Sequence, residues 1–288
     1  MSTETFNRPS IETAAETAPR YYVRFSLPQR YLHAIIGITF LGLAFTGLPL
    51  RFSHAPWATA VSGAVGGFGT IIFFHKMCAF VMTVAFLTHL ANIAYRVVAR
   101  REFGLLWGPN SMIPNWKDIK DFFGNLRWFI GLGPQPKFDR YAYWEKFDYW
   151  AVFWGMGIIG FSGYAMWFAP FFAKFIPGSW LNVALLIHGE EAILAVGFIF
   201  AIHFFNTHVR PDNFPMDLTI FTGRETEGEL KHRHPEEYQR LAASGELKQL
   251  QAATPPLWLQ NFGRLTGGLA VLAGIIMLVM MAIAFVHY

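Results

Sequence analysis

The chain has 288 residues, 53% of them hydrophobic and 17% aromatic, but only 15% charged, against about 25% in an ordinary soluble domain. So few charges cannot cover a water-soluble globule of this size, and the same figures exclude a disordered chain. The single cysteine, Cys78, excludes a disulfide scaffold, cysteine-ligated iron–sulfur or zinc sites, and haem attached through C-x-x-C-H.

Five apolar stretches reach the roughly 20 residues that cross a bilayer: Tyr31–Leu50, Phe68–Arg96, Tyr149–Phe172, Trp180–His208 and Leu265–Tyr288. Barrel strands alternate over only about 10 residues, so the expected fold is all-α, a five-span transmembrane helical bundle. Its parts are a cytoplasmic tail (1–30), a four-helix core (31–210) with a cytoplasmic loop (97–147), a cytoplasmic cap (211–263) and a fifth helix (264–288). Twenty of the 23 Lys and Arg fall on one side of these spans, beginning with Arg8, Arg20, Arg24 and Arg30, and only Arg51, Lys76 and Lys174 on the other. The positive-inside rule therefore puts the amino terminus in the cytoplasm and the carboxyl terminus outside. The net charge of +4 thus reads as topology and not as nucleic-acid binding. Ala58-Thr59-Ala60 resembles a cleavage site, but the apolar run before it is too long and starts too late for a signal peptide.

Between spans two and three, Pro114–Gly131 sets Trp116, Ile119, Phe122, Phe123, Leu126 and Phe129 among charged positions, the pattern of an amphipathic interfacial helix. Residues 211–260 are polar, with Pro255-Pro256 and a Glu/Lys/Gln-rich helical stretch. They read as a cap or partner-docking surface too small to be an independent domain. The glycines from Gly63 to Gly69 are too poor a match for a nucleotide fingerprint.

Six histidines fall within spans: His33 opens the first, His75 and His89 lie on the second, and His188, His203 and His208 on the fourth. Ionisable residues inside a membrane are costly and mark functional sites. His54, His232, His234 and His287 read as solvated or interfacial. His75 and His89 are 14 residues apart, which returns to within roughly 40° of one helix face. His188 and His203 are 15 apart, off by roughly 60° and still on one side. Spans two and four run in the same direction, so His75 and His188 share an outer level. His89 and His203 share an inner one about 20 Å away, and His33 lies near it. Two such levels of facing imidazoles are what two stacked bis-histidine haems require. Gly37, Gly42, Gly47, Gly160, Gly163 and Gly197 would let a flat ring approach the backbone. The bland reading of each histidine is an interhelical hydrogen bond. A reading of another class, a histidine-lined metal-ion transporter, needs deep carboxylates or Met pairs, which the spans lack apart from Glu190 and Glu191.

Several of these runs resemble a known family. Arg30-x-x-His33 opens span one and Thr46-Gly47-Leu48-Pro49 closes it; His75 begins span two. Lys146 with an aromatic run leads into span three, and His188 and the His203–His208 segment lie on span four. Over about residues 24–215 the chain is similar to the diheme cytochrome b subunits of bacterial respiratory complexes, the formate dehydrogenase gamma and nickel–iron hydrogenase cytochrome b group. The resemblance implies two non-covalent haem b groups, the outer held by His75 and His188 and the inner by His33 and His203. This chain departs from the pattern by adding His89 at a ligand-like depth, and by a 15-residue instead of a 14-residue gap on span four. Spacing alone pairs His89 with His203, whereas the resemblance pairs His33 with His203, and both stay open here. So does a third haem using His33, His89 or His208. The resemblance also implies a quinone site, for menaquinone or ubiquinone, beside the inner haem at Tyr141, Tyr143, Glu145 and Lys146, where a carboxylate can exchange protons. It implies a membrane subunit of a respiratory oxidoreductase in the bacterial cytoplasmic (inner) membrane. Electrons would pass between the quinone pool and a periplasmic dehydrogenase or multihaem cytochrome c subunit. The runner-up keeps the haems and drops the quinone, giving a stand-alone transmembrane electron carrier.

Overall fold

The computed structural model describes residues 19–211 and 213–287. Arg8, the rest of the tail before residue 19, and Tyr288 at the end of the expected fifth span lie outside the described residues.

A short strand, β1 (Tyr21–Val23), precedes the first long helix, α1 (Leu27–Arg51). Ser26 starts that helix: its backbone N–H donates to Gln29 Oε1 at 2.9 Å, and Pro28 fills a first-turn position that needs no donor. After α2 (Pro56–Ala64) the chain turns at Gly66 and Gly67, whose φ angles of 96° and 94° suit glycine alone, into α3 (Phe68–Val98). The amphipathic segment forms α4 (Trp116–Phe129). Asn115 Oδ1 accepts from Lys117 N at 2.8 Å, while Asp118 Oδ2 accepts from Asn115 N at 2.6 Å, a reciprocal cap. Next come α5 (Tyr143–Gly155), a π turn at Met156–Gly160, α6 (Phe161–Trp167) and the single turn α7 (Ala169–Phe172). The helix α8 (Ser179–Phe198) runs on through two π turns, Ile199–His203 and Phe205–Val209. The cap holds α9 (Thr219–Thr222), β2 (Arg224–Thr226), α10 (Glu227–Arg233), α11 (Pro235–Ser244) and β3 (Gln251–Ala252). The long α12 (Leu257–His287) follows.

By length and composition, α1, α3, α8 with its π turns, and α12 are each able to cross a membrane. Their outer faces carry side chains such as Ile38, Phe73, Leu194 and Ile275, all more than half exposed. An apolar surface of that extent belongs against lipid. Inside, Ala44 and Leu48 of α1 and Phe52 just after it meet Val196 of α8, Phe200 of the first π turn after that helix, and Met277 and Ala284 of α12. Gly274 lets α12 approach closely, since a Cβ there would stand 2.7 Å from the Phe200 ring.

Three features depart from the expected map. The third expected span, Tyr149–Phe172, is a composite whose regular helix starts at Tyr143 and stops at Trp167, interrupted by a π turn. The last helix begins at Leu257, directly after Pro255-Pro256, and so extends eight residues before the apolar run. The expected all-α architecture also gains a small antiparallel sheet of order β2-β1-β3, pairing Tyr22 with Glu225 on one side and with Gln251 on the other. Strands of two or three residues are too short to show an alternating pattern.

That sheet clips the tail to the cap around one buried cation. Arg24 pairs with Glu237, lies 3.8 Å from Glu225, and donates to the Arg140 carbonyl. Arg140 in turn reaches Glu237 Oε1 at 2.8 Å and the Arg24 carbonyl at 2.7 Å. His234, expected to be solvated, is buried in this cluster, with Nδ1 2.8 Å from the Asp139 carbonyl and Nε2 3.2 Å from Arg24 Nη2. Burial pushes the Glu225 carboxyl up to about 7 despite Arg24, and burial, then the Arg24 charge, holds His234 well below its ordinary value. Burial alone would lower the Arg24 pKa, but Glu225 and Glu237 outweigh it and raise it, so Arg24 stays charged.

Candidate haem centres

At the end of the bundle away from the cap, α3 and α8 bring His75 and His188 together, with ring centres 6.2 Å apart and planes at 73°. His188 Nδ1 lies 2.9 Å from the Ile159 carbonyl. A carbonyl only accepts, so Nδ1 carries the hydrogen and the Nε2 lone pair is left for another partner. Ile159 sits in the π turn Met156–Gly160, and its carbonyl also accepts from the Ser162 hydroxyl at 3.1 Å. His75 Nδ1 lies 2.9 Å from Thr46 Oγ1, while the Thr46 hydroxyl donates back to the Gly42 carbonyl at 2.6 Å. The threonine oxygen is therefore an acceptor for His75, which takes the same tautomer.

Nearer the cap, His33 of α1 and His203 of the π turn after α8 form a second pair, with ring centres 6.5 Å apart and planes at 36°. His203 Nδ1 meets Asp148 Oδ2 of α5 at 2.9 Å. His89 stands apart from this pair: its Nε2 meets the Tyr149 hydroxyl at 2.9 Å and its ring packs edge-on against Tyr149. His208 packs against Phe204, with its Nδ1 buried and unpaired.

These separations can be tested against a bound metal. With a metal–imidazole bond of about 2 Å and a ring centre about 1.1 Å behind its nitrogen, two imidazoles on opposite faces of one ion have centres about 6.3 Å apart. Both pairs fit that spacing. Among the described residues no cluster of three or more His, Cys, Asp or Glu side chains suits a bare metal ion. Histidines in twos match an iron whose other four ligands come from a porphyrin.

The π turns also account for the 15-residue gap between His188 and His203. A straight α-helix would leave them roughly 60° out of phase. Each i→i+5 bond holds one residue more than an α turn, so the Ile199–His203 turn absorbs the extra residue and returns His203 to the inner face.

The glycines expected to admit a flat ring divide into groups. A Cβ at Gly47 would come 3.2 Å from His75 Cε1, and one at Gly163 would come 3.0 Å from His188 Cε1, so these two make room for imidazoles. Gly42 lies under Cys78 Sγ and Gly160 near Met156, whereas Gly37 and Gly197 have nothing within 4 Å of such a Cβ. At the far end Arg51 pairs with Glu190 at 2.8 Å, and Trp154 Nε1 donates to Glu191 Oε2 at 3.2 Å.

The four residues expected at a quinone hold the start of α5. Tyr141 packs against the Arg24 and Arg140 guanidinium groups, and Asn125 Nδ2 donates to the Tyr143 hydroxyl at 3.2 Å. Glu145 Oε2 accepts from Ala142 N at 2.7 Å, and the buried Lys146 pairs with Asp118 at 2.8 Å. Tyr141 and Lys146 also line a cavity of about 430 Å³ together with Asn115, Lys117, Asp139 and Arg240.

Sequence reasoning passed over the partners of the imidazoles. Thr46 and Asp148 lie within or beside the runs that mark the ends of spans one and three, but nothing in their spacing points them at a histidine. The Ile159 carbonyl leaves no mark in the sequence.

Residues 24–209 match the family described as prokaryotic cytochrome b561. No curated protein matches the chain. With that match across most of its length, and with apolar helices that carry paired histidines, the chain belongs to the prokaryotic cytochrome b561 family and is a multi-pass membrane electron carrier of the haem b type.

Proposed function

We propose that this chain holds two haem b groups, one above the other, and serves as the quinone-reactive membrane subunit of a bacterial respiratory oxidoreductase. The observation that carries this reading is the pair of imidazole pairs, His75–His188 at 6.2 Å and His33–His203 at 6.5 Å. His75 and His188 would hold the outer haem, and His33 and His203 the inner. His89, engaged by Tyr149, is not a ligand. When bound, each haem iron supplies reversible one-electron chemistry. The protein fixes the ligands: Thr46, Ile159 and Asp148 hold three Nδ1–H groups and so set tautomer and ring orientation. The lipid-facing helices keep water from both levels.

A five-span arrangement is supported by parity. β1 precedes α1, and β2 follows α8, yet the two strands are hydrogen-bonded. The chain between them must cross an even number of times, and α1, α3 and α8 supply three crossings. The α5–α6 composite is the fourth and α12 the fifth. The basic residues then put the cap in the cytoplasm of a bacterium and the carboxyl terminus outside. With the start of the final helix moved from 264 to Leu257, the division into tail, haem-binding core (31–210), cap and final helix fits that arrangement.

Menaquinone or ubiquinone binds at the head of α5, near Tyr141, Tyr143, Glu145 and Lys146. The cavity of about 430 Å³ lined in part by Tyr141 and Lys146 is within the size range of small-molecule sites. A periplasmic dehydrogenase or multihaem cytochrome c subunit docks at the far end, close to the His75–His188 level.

Haem extraction from the purified chain tests the core of this reading. Two haems per chain are expected, falling to one in His75→Ala and in His203→Ala and staying at two in His89→Ala. A reduced-minus-oxidised spectrum without a b-type α-band would sink it.

A further inference from the structure

Among the four imidazoles proposed to hold haem, the three with a visible Nδ1 partner are not held alike. His75 faces the Thr46 hydroxyl and His188 the Ile159 carbonyl, both neutral. His203 alone faces a carboxylate, Asp148 Oδ2 at 2.9 Å. The two side chains are 18% and 23% exposed, so the contact is largely sheltered from water. Lys146, two residues away, is committed to Asp118, and among the described residues no Lys or Arg pairs with Asp148.

We propose that Asp148 is a positioning residue for His203 and that its carboxylate makes the inner haem harder to reduce than neutral backing would. This rests on the reading of His203 as an axial ligand. An N–H···carboxylate bond is stronger than one to a neutral oxygen. It draws the Nδ1 hydrogen away and gives the opposite nitrogen more anionic character. A more basic ligand favours the ferric over the ferrous ion, and so does a negative charge in a medium of low dielectric. The outer haem, whose two ligands are backed by a hydroxyl and a carbonyl, lacks this bias. The two haems are therefore unequal by construction, through one side chain on α5.

The test is a spectroscopic redox titration of the purified full-length chain in the His75→Ala background, where one haem remains. Asp148→Asn keeps an acceptor oxygen in place but removes the charge. The expected result is at least a tenfold shift of the reduction equilibrium toward the ferrous form, about 59 mV for one electron, at unchanged haem content. Asp148→Glu, which restores the charge, should return the potential toward that of the parent. Should Asp148→Asn lose its haem, retention in Asp148→Glu would still assign the positioning role to the carboxylate. An unchanged potential in Asp148→Asn with full haem content overturns the proposal, and so does haem loss in both variants. Ligation itself is tested apart: if His203→Ala keeps two haems in the otherwise native chain, the underlying assignment fails whatever Asp148 does.

Discussion

Gly163 stands so close to His188 that a Cβ would lie 3.0 Å from Cε1, and Gly47 makes a similar approach to His75 at 3.2 Å. These contacts are tighter than an imidazole tolerates while still aligned with a metal. In Gly163→Ala or Gly47→Ala the helix itself gains, by about 1 kcal/mol from propensity, yet the ring is pushed out of line. Each variant is expected to fold with native helix content by circular dichroism and to lose one of two haems by extraction. Gly37→Ala, with nothing within 4 Å, should keep both. Equal haem content in all three would show that these glycines do not make room for the rings.

A second residue-scale effect lies in the clip between tail and cap. Glu225 shares one buried cation, Arg24, with Glu237, and its carboxyl is pushed up to about 7 from an ordinary 4.5. Below 4.5 the group is neutral folded or unfolded; between 4.5 and 7 only the unfolded chain ionises it. Stability therefore falls as pH rises through that window, by roughly 3 kcal/mol at about 1.4 per unit. His234, held below its ordinary value, acts in the opposite sense as pH rises toward that value, so the parent protein alone shows a muted slope. Comparison with Glu225→Gln isolates the carboxyl. Amide exchange in β1 and β2 should show the Gln variant gaining protection over the parent as pH goes from 5 to 8; a difference that stays constant with pH would count against it. None of this was legible in the sequence, where Arg24 lies some 200 residues before Glu225 and His234 and His234 reads as an ordinary surface histidine. The approach of His75 to His188 was legible, because both lie near the start of spans that run in the same direction.

At the scale of the elements, α1, α3 and α12 followed from the sequence because an apolar run longer than the bilayer is wide leaves no other reading. What periodicity did not supply was the departure from the α period. A π turn changes which carbonyl meets which N–H without changing composition, so neither Met156–Gly160 nor Ile199–His203 has a sequence signature. The choice between His33 and His89 stays open in the sequence for a related reason: ideal α phase draws His89 to His203, whereas the π turn changes that phase, and Tyr149 takes the His89 Nε2. If the Ile199–His203 turn holds one extra residue, deleting Ala201 should convert it to α and shorten the His188–His203 gap to 14 residues, close to whole α turns. Haem content is expected to survive that deletion. Inserting an alanine after Ile193 lengthens the gap instead and should cost both haems that depend on this helix. Loss of haem on deleting Ala201 would show that the π turn is not where the extra residue is held.

For the whole molecule the question is which side each part occupies. The basic residues and the apolar runs give an expectation from the sequence, and the pairing of β1 with β2 bears on one part of it, that tail and cap share a side, since hydrogen-bonded strands cannot lie across a membrane from each other. The two would diverge if the α5–α6 composite, interrupted by its π turn, failed to cross: the cap would then lie opposite the tail, and the sheet could not form. Single cysteines read this directly once Cys78 is replaced by alanine. Ser244→Cys lies on the exposed end of α11, Lys174→Cys at the far turn before α8, and His287→Cys at the end of α12. In intact cells a membrane-impermeant maleimide should label positions 174 and 287 and leave 244 unlabelled until the membrane is broken. A four-crossing chain gives the reverse at all three positions, so one labelled cap in intact cells would overturn the proposed composite span, the clip of tail to cap, and the proposed cytoplasmic quinone site together.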